Sequence, residues 1–236
     1  TRLAKKGHEV HIFGMNWWGG KNKIENKVFL HGISPLYPLY TKQGKRSISQ
    51  ALKFSLNLFK FVFVKKQFDI VDCDHMPHLS IFPIRLATWL RKEKMFITWH
   101  EIWGKYWFNY LKIKGLFGYI VELITMNISR NNICVSNKTH AHFNKLSLFG
   151  SHKLSNGINN ELISKIKPSL RKYDILFAGR LIKEKNVDLI IDAVGKKYKV
   201  GIIGDGPELK RLKKNAPPNV EFLGFLNDIE KVYSLM

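Results

Sequence analysis

Cysteine is nearly absent: Cys73 and Cys134 stand far apart in 236 residues, and neither belongs to a CxxC pair. A disulfide framework and a zinc ribbon are thereby excluded, and a reducing compartment fits. Long apolar runs are lacking too. A membrane-spanning helix needs roughly 18–20 uninterrupted apolar residues. The nearest stretches, 52–64 and 115–128, are shorter and carry Lys53, Lys60 and Glu122. The first residues do not have the basic-then-apolar shape of a secretory leader. These features predict a cytoplasmic protein. Acidic residues are scarce as well, with 18 Asp and Glu against 39 Lys and Arg. The imbalance is uneven: 23 cations face 8 carboxylates in residues 1–150, and 16 face 10 thereafter. A basic first half calls for an anionic partner, whether nucleotide, lipid headgroup or nucleic acid. The aromatics and cations form no RNA-binding motif, which leaves a nucleic-acid binder resting on charge alone. What is present is ample apolar content, 45%, for a packed core.

The most informative stretch is YDILFAGRLIKEKNV, residues 173–187. Its apolar run, 173–178, reads as a buried parallel strand ended by Gly179, where the backbone is expected to turn. Arg180 and Lys185 then follow the strand's carboxyl end, and a helix starting near Asn186 aims its amino terminus at the same place. Open α/β sheets bind ligands at that edge, and a helix start with two cations suits a diphosphate. Arg gives a planar fork of donors and Lys a mobile point charge. The competing reading is two solvated cations beside a helix.

In chain order, 1–7 reads as the end of a helix closed by Gly7, followed by strands at 10–13 and 28–30. Residues 35–46, PLYPLYTKQGKR, read as an exposed loop. From 47 to 66, Ile48, Leu52, Leu56, Phe59 and Val62/Phe63 recur at helical spacing. The expected arrangement packs that face on a sheet with the lysines in water; the alternative is a basic helix lying on anionic lipid. Residues 69–73 read as a strand that delivers His75 to the sheet's carboxyl edge. His75 and His78 could suggest a metal pair, but Pro77 makes a helical arrangement awkward and nothing nearby completes an ordinary site. A helix at about 79–91 and a strand at 95–98 lead to His100, flanked by Glu101, Trp99, Trp103, Tyr106 and Trp107. The run 115–129 reads as a long buried helix, 132–135 as a strand, and Ser136 as a helix N-cap. His140 and His142 read as surface residues, and Asn156-Gly157 as a tight turn. The Pro-Ser linker character of 166–172 sets a boundary near 168. Beyond it come a helix with Val187, Ile190, Ile191 and Val194 on one face and a strand at 198–203. Asp205 and Glu208 have capping-box spacing, and Asn227 or Asp228 caps a final helix.

Several of these pieces resemble the retaining glycosyltransferases of family 4, which have the two-domain GT-B fold. FAGRLIKEKN (177–186) is similar to the family's donor-diphosphate motif, NGIN (156–159) to its Asn-Gly-Val-Asp turn, and GDGPELKRL (204–212) and VEFLGFL (220–226) to its next loop and strand. The resemblance implies an α/β chain of two Rossmann-like, doubly wound domains with a cleft between them. An acceptor-side domain would occupy 1–168, lacking its first strand, and a partial nucleotide-sugar domain 169–236. It implies transfer of a hexose, with retention, from a UDP- or GDP-linked donor to a saccharide or lipid-linked acceptor, without a cofactor or metal. His100, Arg180 and Lys185 carry over as catalytic residues. Gly179, Asn156, Gly157, Gly204, Asp205, Gly206, Gly224, Phe225, Leu226 and His75 carry over as substrate-binding residues. Family members often use the region around 35–66 for the acceptor or the membrane, which would allow peripheral contact with the inner face of an anionic membrane. Glu101 and Asn159 stand where relatives have Asp. The family's glutamate pair is expected beyond residue 236. A nucleotide-sugar epimerase on the same scaffold is the alternative.

Overall fold

The computed structural model describes residues 2–39, 41 and 47–236. It forms two compact units, which separate in the sequence between Asn156 and Gly157. The stretch 157–168, expected with the first domain, clusters with the second unit. Leu162, Lys165, Ile166 and Lys167 line a cavity with Asp228, Glu230, Lys231 and Ser234, and Ser169 donates a backbone bond to Ser234. Linker-like composition did not register those contacts.

The first unit contains helices α1 (Arg2–Lys5), α2 (Ile48–Asn57), α3 (Ile81–Leu90), α4 (Tyr106–Leu111), α5 (Gly115–Met126) and α6 (Asn137–Leu146). Its strands are β1 (Val10–Met15), β2 (Lys23–Glu25), β3 (Val28–Ser34), β4 (Ile70–Asp74), β5 (Lys94–Trp99), β6 (Asn131–Cys134) and β7 (His152–Lys153). They form two sheets, β1-β3-β2 and β4-β5-β6-β7, parallel except for the β2–β3 pair. One core joins them, with Phe13 and Ile33 packed among Phe61, Ile84, Ile97, Trp99 and Phe143. A cavity of about 370 Å³ lies between β1 and β4, lined by Ile12, Phe13, Ile70 and Val71 and floored by Phe54, Leu58 and Phe61. In β5 the alternate residues Met95, Ile97 and Trp99 bury one face of the strand with almost no exposure, and Phe96 and Thr98 on the other face are half-buried.

The second unit contains α7 (Asn160–Ile163), β8 (Ile175–Ala178), α8 (Val187–Val194), β9 (Val200–Ile203), α9 (Leu209–Asn215), β10 (Val220–Gly224) and α10 (Ile229–Leu235). Its strands run parallel in the order β10-β9-β8. Val187, Ile191 and Val194 of α8 bury against Val200 and Ile202 of the central strand, as their spacing predicts. Asp228 caps α10 by accepting from the Glu230 and Lys231 backbone.

Several local expectations change. The apolar segment 47–66 is an α-helix only to Asn57 and continues as a 3₁₀ helix, Leu58–Phe63. Its buried side carries Phe54, Leu58, Phe61 and Val62, whereas Ile48, Leu52, Leu56, Phe59 and Phe63 face outward. Two apolar stripes run along this segment, and periodicity alone does not choose between them. Likewise α5 buries Val121, Glu122, Thr125 and Met126 and exposes Leu116, Phe117, Ile120 and Ile124. The helix is thus buried on one face only, and the polar groups on that face meet specific partners. His140 and His142 are half-buried rather than surface residues; the His140 ring bonds Ser151 and Asn144. Residues 154–159 form an irregular connection and not a tight turn; Asn159 instead caps α7. Of the loop expected at 35–46, residues 40 and 42–46 lie outside the described residues.

Candidate functional site

In the second unit, three loops converge on the carboxyl edge of the sheet. Gly179 N–H donates to Ile203 C=O at 3.0 Å, Gly204 N–H to Gly224 C=O at 2.8 Å, and Leu181 N–H to Asp205 C=O at 2.9 Å. Glu208 N–H then donates to Leu181 C=O at 3.0 Å, so the 204–208 loop is stitched to the Arg180 segment by main chain alone. Such close backbone approach explains the glycines. A Cβ at Gly204 would overlap the Gly179 carbonyl, and one at Gly206 would overlap the Leu181 carbonyl. Gly204 and Gly206 also have φ of +138° and +158°, conformations that glycine adopts readily. The expected requirement at Gly179 is weaker, since it keeps an ordinary φ and an added Cβ would meet only the Phe177 ring. The expected capping box is absent. Asp205 Oδ1 accepts from Gly206 N–H, Glu208 binds Arg211, and α9 begins at Leu209.

Arg180 follows β8 directly and is exposed. Lys185, also exposed, closes a 3₁₀ turn, Lys183–Lys185, ahead of α8. Asn186, at the helix start, is left-handed with φ of 47° and makes no side-chain cap bond. Of the first donors of α8, Leu189 N–H is met by the Asn186 carbonyl at 3.1 Å and by Asp188 Oδ1 at 3.2 Å, and Lys185 stands just before the helix. Gly224 ends β10 at φ of +70°, followed by exposed Phe225 and by Leu226. Asn156 and Gly157 are exposed on the irregular connection after β7.

In the first unit, the site rests on side chains. His75 and His100 follow the parallel partners β4 and β5, so the sheet register places both at its carboxyl edge. His100 is exposed and His75 buried. Asp74 lies between them: Oδ1 is 3.2 Å from His75 Nδ1, and Oδ2 is 3.6 Å from His100 Nε2. Burial works against the Asp74 charge, but the His75 bond, both imidazoles and the Met76 N–H outweigh it and hold its pKa below the usual carboxylate range.

Behind them is an unanticipated network. Glu122 is fully buried in α5 and accepts from Trp103 N–H at 2.8 Å, Gly104 N–H at 2.7 Å and the Trp107 indole at 3.2 Å. It thus anchors the 103–107 segment that follows His100. Gly115 and Gly118 admit Trp107, since a Cβ at either would overlap its backbone or ring. Burial raises the Glu122 pKa despite those three donors. His78 Nε2 stands 3.7 Å from Glu122 Oε1, beyond a direct hydrogen bond. Burial and the neighbouring His75 push the His78 pKa down to about 3. Among the described residues, no group of three His, Cys, Asp or Glu is placed to hold a metal. Sequence reasoning missed Asp74 and Glu122. Asp74 was legible as a carboxylate at a strand end, but a glutamate in an apolar helix looked like an interruption.

These units define an α/β protein of the GT-B fold. The family model for Glycosyltransferase Family 4 matches residues 1–162, and that for Glycosyl transferases group 1 matches residues 159–236. The chain belongs to glycosyltransferase family 4. Among solved structures it is similar to Anabaena Alr3699/HepE in complex with UDP (TM-score 0.58, 16% identity, covering 75% of this chain and 54% of that one). Its similarity to the same protein with UDP-glucose has a TM-score of 0.57 at 17% identity, covering 79% and 56%. With UDP and glucose the TM-score is 0.56 at 17% identity, covering 88% and 59%. At such identities the likeness is one of fold, and the chain spans little more than half the length of those structures. No protein of curated function matches it in sequence.

Proposed function

We propose that the protein transfers a hexose from a nucleotide-diphosphate sugar to a saccharide or lipid-linked acceptor, in the cytoplasm and with retention at the anomeric carbon. The observation that carries this reading is the backbone-stitched edge at Gly179, Gly204 and Gly224, with Arg180 and Lys185 following the first of these strands. A diphosphate is what such an edge suits: main chain free of Cβ atoms, a helix amino terminus and two cations. Arg180 and Lys185 neutralise the charge that grows on the leaving diphosphate, whose oxygen helps deprotonate the attacking hydroxyl on the same face. His100 orients the sugar, and the nucleotide rests against Gly204–Gly206 and Gly224–Leu226. Asn156, Gly157 and His75 complete the proposed binding set. The first unit is the acceptor side and the second the donor side. The Anabaena complexes with UDP and UDP-glucose support a uridine-linked donor, with a guanosine-linked one as the other choice.

The test is a screen of nucleotide sugars with the full-length protein, followed by NMR analysis of the product anomer. Retained configuration is expected. An inverted product, or neither donor hydrolysis nor transfer, would refute the reading, and sugar epimerisation without transfer would replace it with the isomerase alternative.

A further inference from the structure

Helix α4 buries none of its six residues, yet Tyr106, Trp107, Phe108 and Tyr110 are all aromatic. With Trp103 just ahead of it, the helix gathers its rings outside the unit's buried core. Trp103 meets Tyr106 at 5.3 Å and Tyr110 at 5.1 Å between ring centroids, with interplanar angles of 81° and 77°. The two phenol rings are only 28° from parallel. These rings therefore form two walls set nearly at right angles, with Trp107 packed on the indole at 4.5 Å. Glu101 lies beside the indole wall: its Oε1 accepts from Trp103 Nε1 at 2.9 Å, in a bond open to solvent. Glu101 is exposed, and Tyr106 is 44% exposed.

Aromatic clusters are ordinarily held by an apolar core, but this one is held by a carboxylate. Glu122 ties down the Trp103 and Gly104 N–H groups and the Trp107 indole, which fixes the corner in place directly after His100. We propose that the corner is a subsite for a pyranoside, the sugar of the acceptor, with its apolar C–H face against Trp103 and Tyr106 and its hydroxyls on the Glu101 carboxylate and the Tyr106 phenol. A pyranose has an apolar face and a polar rim, and rings with polar handles beside an acceptor carboxylate match both. An acyl chain alone would strip water from that carboxylate without replacing its bonds. A diphosphate is unsuited because it carries the same sign of charge as Glu101. A corner assembled in advance spares the ordering cost of binding. The assignment to the acceptor rests on the transferase reading and adds to it the chemical group recognised and the side chains that recognise it.

Saturation-transfer NMR of the full-length protein with methyl β-glucopyranoside, methyl β-galactopyranoside and methyl α-mannopyranoside, in the absence of any nucleotide sugar, tests it. At least one glycoside should be saturated, most strongly at its ring C–H protons. Tyr106→Ala should raise its Kd about fivefold or more. That side chain is exposed on a helix with no buried residue, so the unfolding midpoint should stay where it is. Glu101→Gln should raise Kd about threefold or more, although its amide oxygen can still accept from Trp103 Nε1. Unchanged near-ultraviolet circular dichroism in that variant would show that the loss is one of binding and not of ring packing. The proposal is overturned if no glycoside is saturated, or if Kd is the same in both variants as in the parent. It is also overturned if the substitutions abolish saturation of uridine instead, or if the chain protons of octyl β-glucopyranoside are saturated in preference to its ring protons. Because no donor is present, glycoside binding without sugar transfer would fail the transferase reading alone, and transfer with kinetics indifferent to both substitutions would fail this proposal alone.

Discussion

The carboxyl edges of the two units are built from different materials. In the second unit the edge is main chain: Gly179 and Gly204 follow β8 and β9, Gly224 ends β10, and backbone hydrogen bonds join the three ends. In the first it is side chains drawn from separate elements, with Asp74 ending β4, His100 after β5 and Glu122 within α5. A backbone site is sensitive to added atoms, because nothing in it can rotate away. A side-chain site is sensitive to removed atoms, because each loss leaves a buried partner unsatisfied.

The largest effect should come from adding a methyl group to the backbone edge. Gly204→Ala forces a left-handed φ on a residue whose Cβ overlaps the Gly179 carbonyl, and should cost about 3 kcal/mol or more. Urea unfolding measures this, and a loss under about 1 kcal/mol would show that the strands give way easily. Next is removal of an anchor. Glu122→Ala strands two backbone N–H groups and an indole, and should cost about 3 kcal/mol, whereas Glu122→Gln should cost less. Equal losses for the two would mean that charge, and not hydrogen bonding, is what Glu122 supplies.

Arg180→Ala should weaken donor diphosphate binding by about 1.5–3 kcal/mol while leaving stability nearly unchanged, since the side chain is exposed. Calorimetric titration with a nucleoside diphosphate reads this, and unchanged affinity would remove Arg180 from the site. The smallest effect is a pH dependence confined to the first unit. His78 has a folded pKa depressed to about 3, so between about 6.5 and 3 the unfolded chain binds the extra proton and stability falls as pH falls. Between pH 7 and 5 this contributes a loss of about 2 kcal/mol, which His78→Gln should abolish. The raised Glu122 pKa works in the opposite direction, because protonation on acidification relieves a buried charge. The His78→Gln comparison isolates the first effect. A variant with the same pH slope as the parent would show that His78 takes up its proton without unfolding.

The same contrast governs what could be read without a fold. Strands at 175–178, 200–203 and 220–224 announced themselves by short apolar runs ending at glycine, and the glycine and basic residues of the second unit's carboxyl edge lie within those contiguous motifs. His100 was legible because it follows a strand directly. Glu122 was not, because its meaning comes from the 103–107 segment that meets α5 only in the fold, and Asp74, a carboxylate at a strand end, acquires its two imidazole neighbours only when β4 and β5 pair. Pro, Ser and Lys between 166 and 172 set the expected boundary near 168, whereas the two compact units part between Asn156 and Gly157.

By itself the sequence determined the parallel α/β character, the glycine-ended strands of the second unit and the surplus of positive charge, because these depend on local periodicity, on glycine and on composition. Only the tertiary structure decided which of two apolar stripes on the 48–63 segment is buried and which is left in water. It also decided that a carboxylate inside an apolar helix serves as an anchor. Both turn on the partner a side chain meets across the core, and periodicity within one helix carries no record of that partner.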